Sequence, residues 1–94
     1  MVVRIVRMHF REEAVPEFLA IFEANNTAIR NFPGCRHLEL LKDLSHPTTY
    51  TTLSHWEHPD DLEAYRKSEL FIGVWARVKK LFAARTEAFT MVKV

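Results

Sequence analysis

The chain opens MVVRIVRMHF, where apolar and β-branched residues are interrupted by Arg4, Arg7 and His9 at intervals too close for one helical face. Residues 2 to 10 therefore predict a strand, with Val2, Val6, Met8 and Phe10 on one side and Val3 and Ile5 on the other. From Glu12 the period changes. Val15, Phe18, Leu19, Phe22 and Ile29 follow helical steps, and Glu12, Glu13 and Pro16 suit a helix N-terminus. This first helix should run to about Arg30 and stop at Asn31-Phe32-Pro33-Gly34, because proline cannot continue a helix and glycine readily takes positive φ.

CRHLELLKD and TTYTTLSHWE read as two further strands, joined as a hairpin by Leu44-Ser45-His46-Pro47. His58-Pro59-Asp60-Asp61 opens a second helix: Pro59 sits where its missing donor costs nothing, and the carboxylates face the positive end of the macrodipole. Ser68 caps a further helical segment whose Phe71, Val74, Trp75, Val78, Leu81 and Phe82 form one apolar stripe. Arg77, Lys79 and Lys80 lie near its end, where positive charge is favoured. The tail TEAFTMVKV returns to strand character. Strand, helix, hairpin, helices, strand is an α+β order, a four-stranded, mainly antiparallel sheet with helices on one face.

Apolar residues on both sides of the first strand change that picture. A sheet with helices on one face and water on the other should alternate cleanly, so the open face is expected to meet a second copy in a two-fold homodimer. Composition agrees: 94 residues, 48% hydrophobic and 27% charged, make one domain over residues 1–94 whose own core is limited. The formal charge is +1 and no basic run exceeds Lys79-Lys80, which argues against nucleic-acid or membrane partners. The alternating start is no signal peptide or membrane span, and a cytoplasmic location is expected. The lone Cys35 has no partner for a disulfide or a Cys-x-x-Cys motif and is expected to pack as a small hydrophobe.

Candidate chemistry falls on the two sides of the hairpin. His55 and His58, three apart, point to opposite faces of a strand and make no metal pair, and His58 is read as a helix-start residue. Counting outward from a Leu44–Thr48 loop sets Asp43 opposite Thr49, Glu39 opposite Leu53 and His37 opposite His55. His37, Glu39 and His55 thus share one face, as an acid/base or metal group or as interface polar residues. The other face carries Leu38, Leu40, Tyr50, Thr52, Ser54 and Trp56. Small Thr52 and Ser54 under a helical cover leave space, which Tyr65, Phe71 and Trp75 would line as an apolar pocket for a flat organic ligand. No Ser-His-Asp or Cys-His triad follows from the spacing, and Gly34 and Gly73, the only glycines, make no phosphate loop, so no nucleotide cofactor is expected.

"VPEFLAIFEANN", "FPGCRHLELLKD", "TLSHWEHPDDLEAYRKSELF" and "VWARVKKLF" together resemble the antibiotic biosynthesis monooxygenase (ABM) domain family of the dimeric α+β barrel superfamily, over almost the whole chain. The resemblance implies a ferredoxin-like fold that dimerises through its sheets, with a pocket between sheet and helices in each subunit. Family members include oxygenases that act without metal or flavin on quinol-like polyphenols, haem-degrading enzymes, a signalling-molecule isomerase and proteins without known activity. Against the haem-degrading branch, Trp75 stands where that branch has its iron-ligating histidine, Val6 where it has an asparagine, and Tyr65 where it has a tryptophan. An indole cannot replace that ligand.

The expected function is cofactor-free monooxygenation of a small electron-rich aromatic. Tyr65 and Trp75 are the expected catalytic residues, and Thr52, Ser54, Trp56, Arg66 and Phe71 the expected substrate-binding ones. Two alternatives stand beside it: a non-catalytic dimer that binds a small ligand, and an acid/base isomerase using His37, Glu39 and His55. No metal or other cofactor is demanded, because a substrate this electron-rich supplies its own reducing power.

Overall fold

The computed structural model describes residues 1–94. Strand β1 (Val2–His9) leads through a 3₁₀ turn (Glu12–Ala14) into helix α1 (Val15–Arg30). The hairpin β2 (Cys35–Lys42) and β3 (Thr49–Trp56) follows, then α2 (Pro59–Arg66), α3 (Glu69–Val78), a second 3₁₀ turn (Lys79–Leu81) and β4 (Glu87–Val92). The sheet order is β2-β3-β1-β4 with every neighbouring pair antiparallel, and the helices cover one face. The α+β, ferredoxin-like arrangement expected from the sequence is the observed one. Strand ends are one or two residues shorter than read: Phe10 leaves the ladder to bridge Phe82, and the last strand excludes Thr86, Lys93 and Val94.

Local chemistry sets the joints. The His58 ring accepts a hydrogen bond at Nδ1 from the Asp60 amide at 3.0 Å, so the first histidine of the HPDD stretch is a helix cap. Ser68 Oγ accepts from the Phe71 amide at 3.1 Å and donates to the Tyr65 carbonyl at 2.6 Å, which fixes the elbow between α2 and α3. The β2–β3 loop is held by Asp43, whose Oδ1 accepts from the Ser45 and His46 amides. Those bonds hold the Asp43 carboxyl below its ordinary range. Gly34 turns the chain out of α1 with φ +86°, and a Cβ there would overlap the Asp61 side chain. Gly34→Ala is therefore expected to cost about 1–3 kcal/mol in a urea unfolding experiment. An unchanged midpoint would mean that the turn relaxes freely.

The buried core is in two parts. Met8, Phe10, Ala14, Phe18, Tyr50, Val78 and Leu81 form one cluster; Val2, Trp56 and Leu62 form the other. Phe10 stacks on Phe18 at 4.1 Å in the first. Between the two clusters the sheet carries Thr52 and Ser54, whose short side chains do not fill the distance to the helices. A cavity occupies that gap.

Only 14 of the 94 residues are buried, and the sheet face away from the helices carries apolar residues that no element of the chain covers. In register, Leu53, Ile5 and Phe89 make one row across β3, β1 and β4, and His55, Val3 and Met91 make the next. Phe89, Met91 and Leu41 on this face are exposed.

Candidate functional site

The cavity encloses about 360 Å³ between sheet and helices, within the range of small-molecule sites. Its floor comes from the helix-facing positions of the sheet, mainly β1 and β3 with Leu38 of β2 and Ala88 of β4, and its roof from α1, α2 and α3. Fourteen of its nineteen lining residues are hydrophobic, so a ligand held there is held mainly by apolar contact. One wall is a run of rings. Trp56 stacks on Tyr65 at 4.9 Å, Tyr65 meets Phe71 edge-on at 5.2 Å, and Phe71 lies nearly parallel to Trp75 at 5.9 Å. The Ser68 elbow produces this run, because it sets the last turn of α2 against the first turn of α3.

The polar groups are few and specific. Trp56 Nε1 donates to Ser54 Oγ at 3.0 Å, which occupies that oxygen as an acceptor and leaves its hydrogen to donate elsewhere. Thr52 lies beside it on the same strand face. Thr86 Oγ1 is buried in the lining without any hydrogen-bond partner. Leaving such a hydroxyl unpaired costs about 1–3 kcal/mol. Arg4 and Arg66 complete the polar set, and no carboxylate is among the lining residues.

Burial, with a smaller contribution from nearby Cys35, pushes the Tyr65 hydroxyl up from its ordinary 10.0 to about 12. Tyr65 is therefore a neutral phenol at physiological pH, a hydrogen-bond donor and not a base. Between those two values the folded protein holds a proton that the unfolded chain has released, so stability falls as pH rises through that window. An alkaline titration of a Tyr50→Phe variant, followed by phenolate absorbance, should show the remaining tyrosine ionising near pH 12. A step at the ordinary value would mean that Tyr65 is solvated.

All seven residues expected to act on or bind the ligand, Thr52, Ser54, Trp56, Tyr65, Arg66, Phe71 and Trp75, line this one cavity. Arg4 and Thr86 were not anticipated. Arg4 did leave a signal, since the alternation of β1 places it on the same side as Val2, Val6 and Met8. Thr86 precedes β4 in a segment with no local pattern.

His37, Glu39 and His55 come together as the hairpin count predicts, His37 paired with His55 and Glu39 with Leu53. The two imidazoles are 5.2 Å apart, and His37 Nε2 is 3.6 Å from Glu39 Oε1. Burial, then the charges of Lys93 and His37, lower the pKa of His55, against the pull of Glu39. This group occupies the open face of the sheet, with the sheet itself between it and the cavity. No three His, Cys, Asp or Glu side chains converge at metal-ligand spacing.

Spacing alone also missed a row on the open face: His9 Nδ1 lies 3.1 Å from Thr49 Oγ1 and His9 Nε2 lies 2.9 Å from Glu87 Oε1. It has the order of a nucleophile, a base and an acid. Thr49 is only 4% exposed, however, so a substrate carbonyl has no approach to its oxygen, and the row serves to tie β3, β1 and β4 together.

The sequence model of the antibiotic biosynthesis monooxygenase family matches residues 1–74. The chain belongs to that family. Its fold is shared by a crystal structure of an antibiotic biosynthesis monooxygenase with a TM-score of 0.93 at 18% identity, covering 100% of this chain and 99% of that one. A conserved protein from Methanosarcina mazei Go1 gives 0.93 at 20% identity, with coverage of 100% and 94%. A variant of SnoaB, a cofactor-independent oxygenase from Streptomyces nogalater, gives 0.86 at 17% identity, with coverage of 98% and 91%. At these identities the likeness establishes the fold. A comparison with curated proteins finds no match. No helix is long and apolar enough to cross a membrane.

Proposed function

We propose that the chain is a cofactor-independent monooxygenase of small, electron-rich, quinol-like aromatics. The observation that carries this reading is the aromatic-walled apolar cavity, whose few polar groups include the hydroxyls of Thr52, Ser54 and Tyr65. Dioxygen accepts electrons from such a ring one at a time, and a quinol releases them readily once its hydroxyl proton passes to solvent water, the lining holding no carboxylate or histidine to take it. One oxygen atom then enters the ring, and the other leaves as water with hydrogens that the quinol gives up on becoming a hydroxyquinone. Ser54, Thr52 and Arg66 orient the substrate oxygens, Trp56, Phe71 and Trp75 hold the ring, and Tyr65 donates a hydrogen bond to the oxygen on which charge develops. Preorganised donors in a water-poor site act on that charge more strongly than bulk water does.

The test is oxygen uptake by metal-stripped protein with a panel of quinols, against a boiled control. Saturable uptake above the control supports the reading. Ligand retention without oxygen consumption favours a binding protein, and turnover abolished by His37→Ala or His55→Ala but not by cavity variants favours the acid/base alternative.

We propose further that the open sheet face pairs with a second copy. The Leu53–Ile5–Phe89 row supplies apolar area that the helices do not cover. Light scattering should give twice the chain mass, and Phe89→Glu should shift it toward the monomer by burying an unpaired charge. A monomer in the unaltered protein would overturn this arrangement.

A further inference from the structure

The cavity is lopsided in charge. Its lining holds two guanidinium groups and not one carboxylate. Arg4 rises from the helix-facing side of β1, between Ser54 and Thr90 in the register. One of its nitrogens donates to Thr90 Oγ1 at 2.7 Å, and no carboxylate lies within ion-pair distance of it. Arg66 comes down from the last turn of α2 and touches only Glu63, at 3.5 Å, a contact across one turn of its own helix. Burial and then the charge of Arg66 both work against the charged form of Arg4, with Glu63 acting the other way. Like charges over an apolar cavity repel, and Glu63, which contacts Arg66 and also acts on Arg4, offsets that repulsion only in part. The Arg66 side chain is 45% exposed, whereas Trp56 deeper in the wall is fully buried. The cavity therefore has a cationic, hydrated side and an aromatic, dry one.

We infer that the ligand is an aromatic acid whose anionic group sits between Arg4 and Arg66 while its ring system lies along Trp56, Tyr65, Phe71 and Trp75. This rests on the aromatic-cavity reading and adds the charge of the ligand to it. A carboxylate accepts paired hydrogen bonds from guanidinium forks, and at the hydrated side of the cavity it gives up little of its solvation. Anchoring one end of the molecule also fixes which ring carbon is presented beside the Ser54 and Tyr65 donors. A neutral aromatic would bury the same ring and leave the two cations with Glu63 alone beside them.

The test is isothermal titration of the protein with 2-naphthoate and with its uncharged methyl ester, repeated for Arg4→Gln and Arg66→Gln. The acid should bind the unaltered protein about tenfold or more tightly than the ester, and raised salt should shrink that margin. Each glutamine variant should weaken the acid about tenfold and the ester clearly less, with thermal melts reporting whether the variant is folded. If Arg4→Gln fails to fold, the half-exposed Arg66 carries the comparison. Equal affinity for acid and ester, or an acid affinity indifferent to the substitutions, would overturn the anchor while leaving the aromatic site standing. Binding of neither compound would overturn both.

Discussion

Replacing Trp56 with alanine is expected to lower folding stability by about 3–5 kcal/mol, read as a fall in the urea midpoint at constant slope. Trp56 is fully buried, and with Val2 and Leu62 it makes up the smaller core cluster. Its ring stacks on Tyr65 at 4.9 Å and meets Phe32 at 6.3 Å, so the substitution removes the common neighbour of the α1 exit and of α2. It also strips Ser54 of the indole donor. Small domains hold only about 5–15 kcal/mol in total, so the variant should be marginal at room temperature. Trp56→Phe keeps most of the area and should cost clearly less. A loss below about 1 kcal/mol for the alanine variant would mean that α2 collapses onto the gap and that the two-part core is wrong.

Tyr65→Phe should leave the fold intact and cut oxygen uptake with a quinol by about a hundredfold, in kcat more than in KM. The phenyl ring preserves the stacking on Trp56 and the edge contact with Phe71. What is lost is one donor in a site whose other polar groups are Thr52, Ser54, Thr86 and the two arginines. Because that hydroxyl ionises only near pH 12, the rate of the unaltered protein should show no rise that tracks tyrosine ionisation around neutrality. Trp75→Ala should act differently. It removes a wall of the cavity stacked on Phe71, so KM should rise with the loss of apolar contact. Unchanged rates in both variants would remove the cavity from the chemistry.

These residues also show which parts of the molecule are legible in the sequence. The hairpin register could be counted outward from a Pro- and Ser-containing loop, and it placed Thr52, Ser54 and Trp56 on one face and His37, Glu39 and His55 on the other. Helical spacing from Ser68 then carried Phe71 and Trp75 over the first set. Local rules suffice for this much, since strand alternation and helix caps act within a few residues. The position of β4 beside β1 involves pairing of the two ends of the chain, which no local pattern encodes, and Thr86 and the Thr49–His9–Glu87 row depend on it. Arg4 is an intermediate case. Alternation assigned it to the helix-facing side, but only the sheet order reveals that Ser54 and Thr90 flank it there, and only the packing of α2 brings Arg66 into the same lining.

The acid/base alternative loses its link to the cavity for a geometric reason. Residues one apart on β3 face opposite ways, so Ser54 and His55 are neighbours in sequence and separated by the sheet in space. A ligand among the rings is beyond the reach of either imidazole. On the open face the histidines flank the apolar rows proposed to receive the second subunit.

Isotope labelling tests the central claim most directly: metal-stripped protein and a naphthalenediol under oxygen-18 gas, with the mass of the product and the yield of hydrogen peroxide measured together. The account predicts a hydroxyquinone carrying one labelled oxygen atom, labelled water as the other product, and no stoichiometric peroxide. An unlabelled quinone with one equivalent of peroxide, or no product above the boiled control, would contradict it.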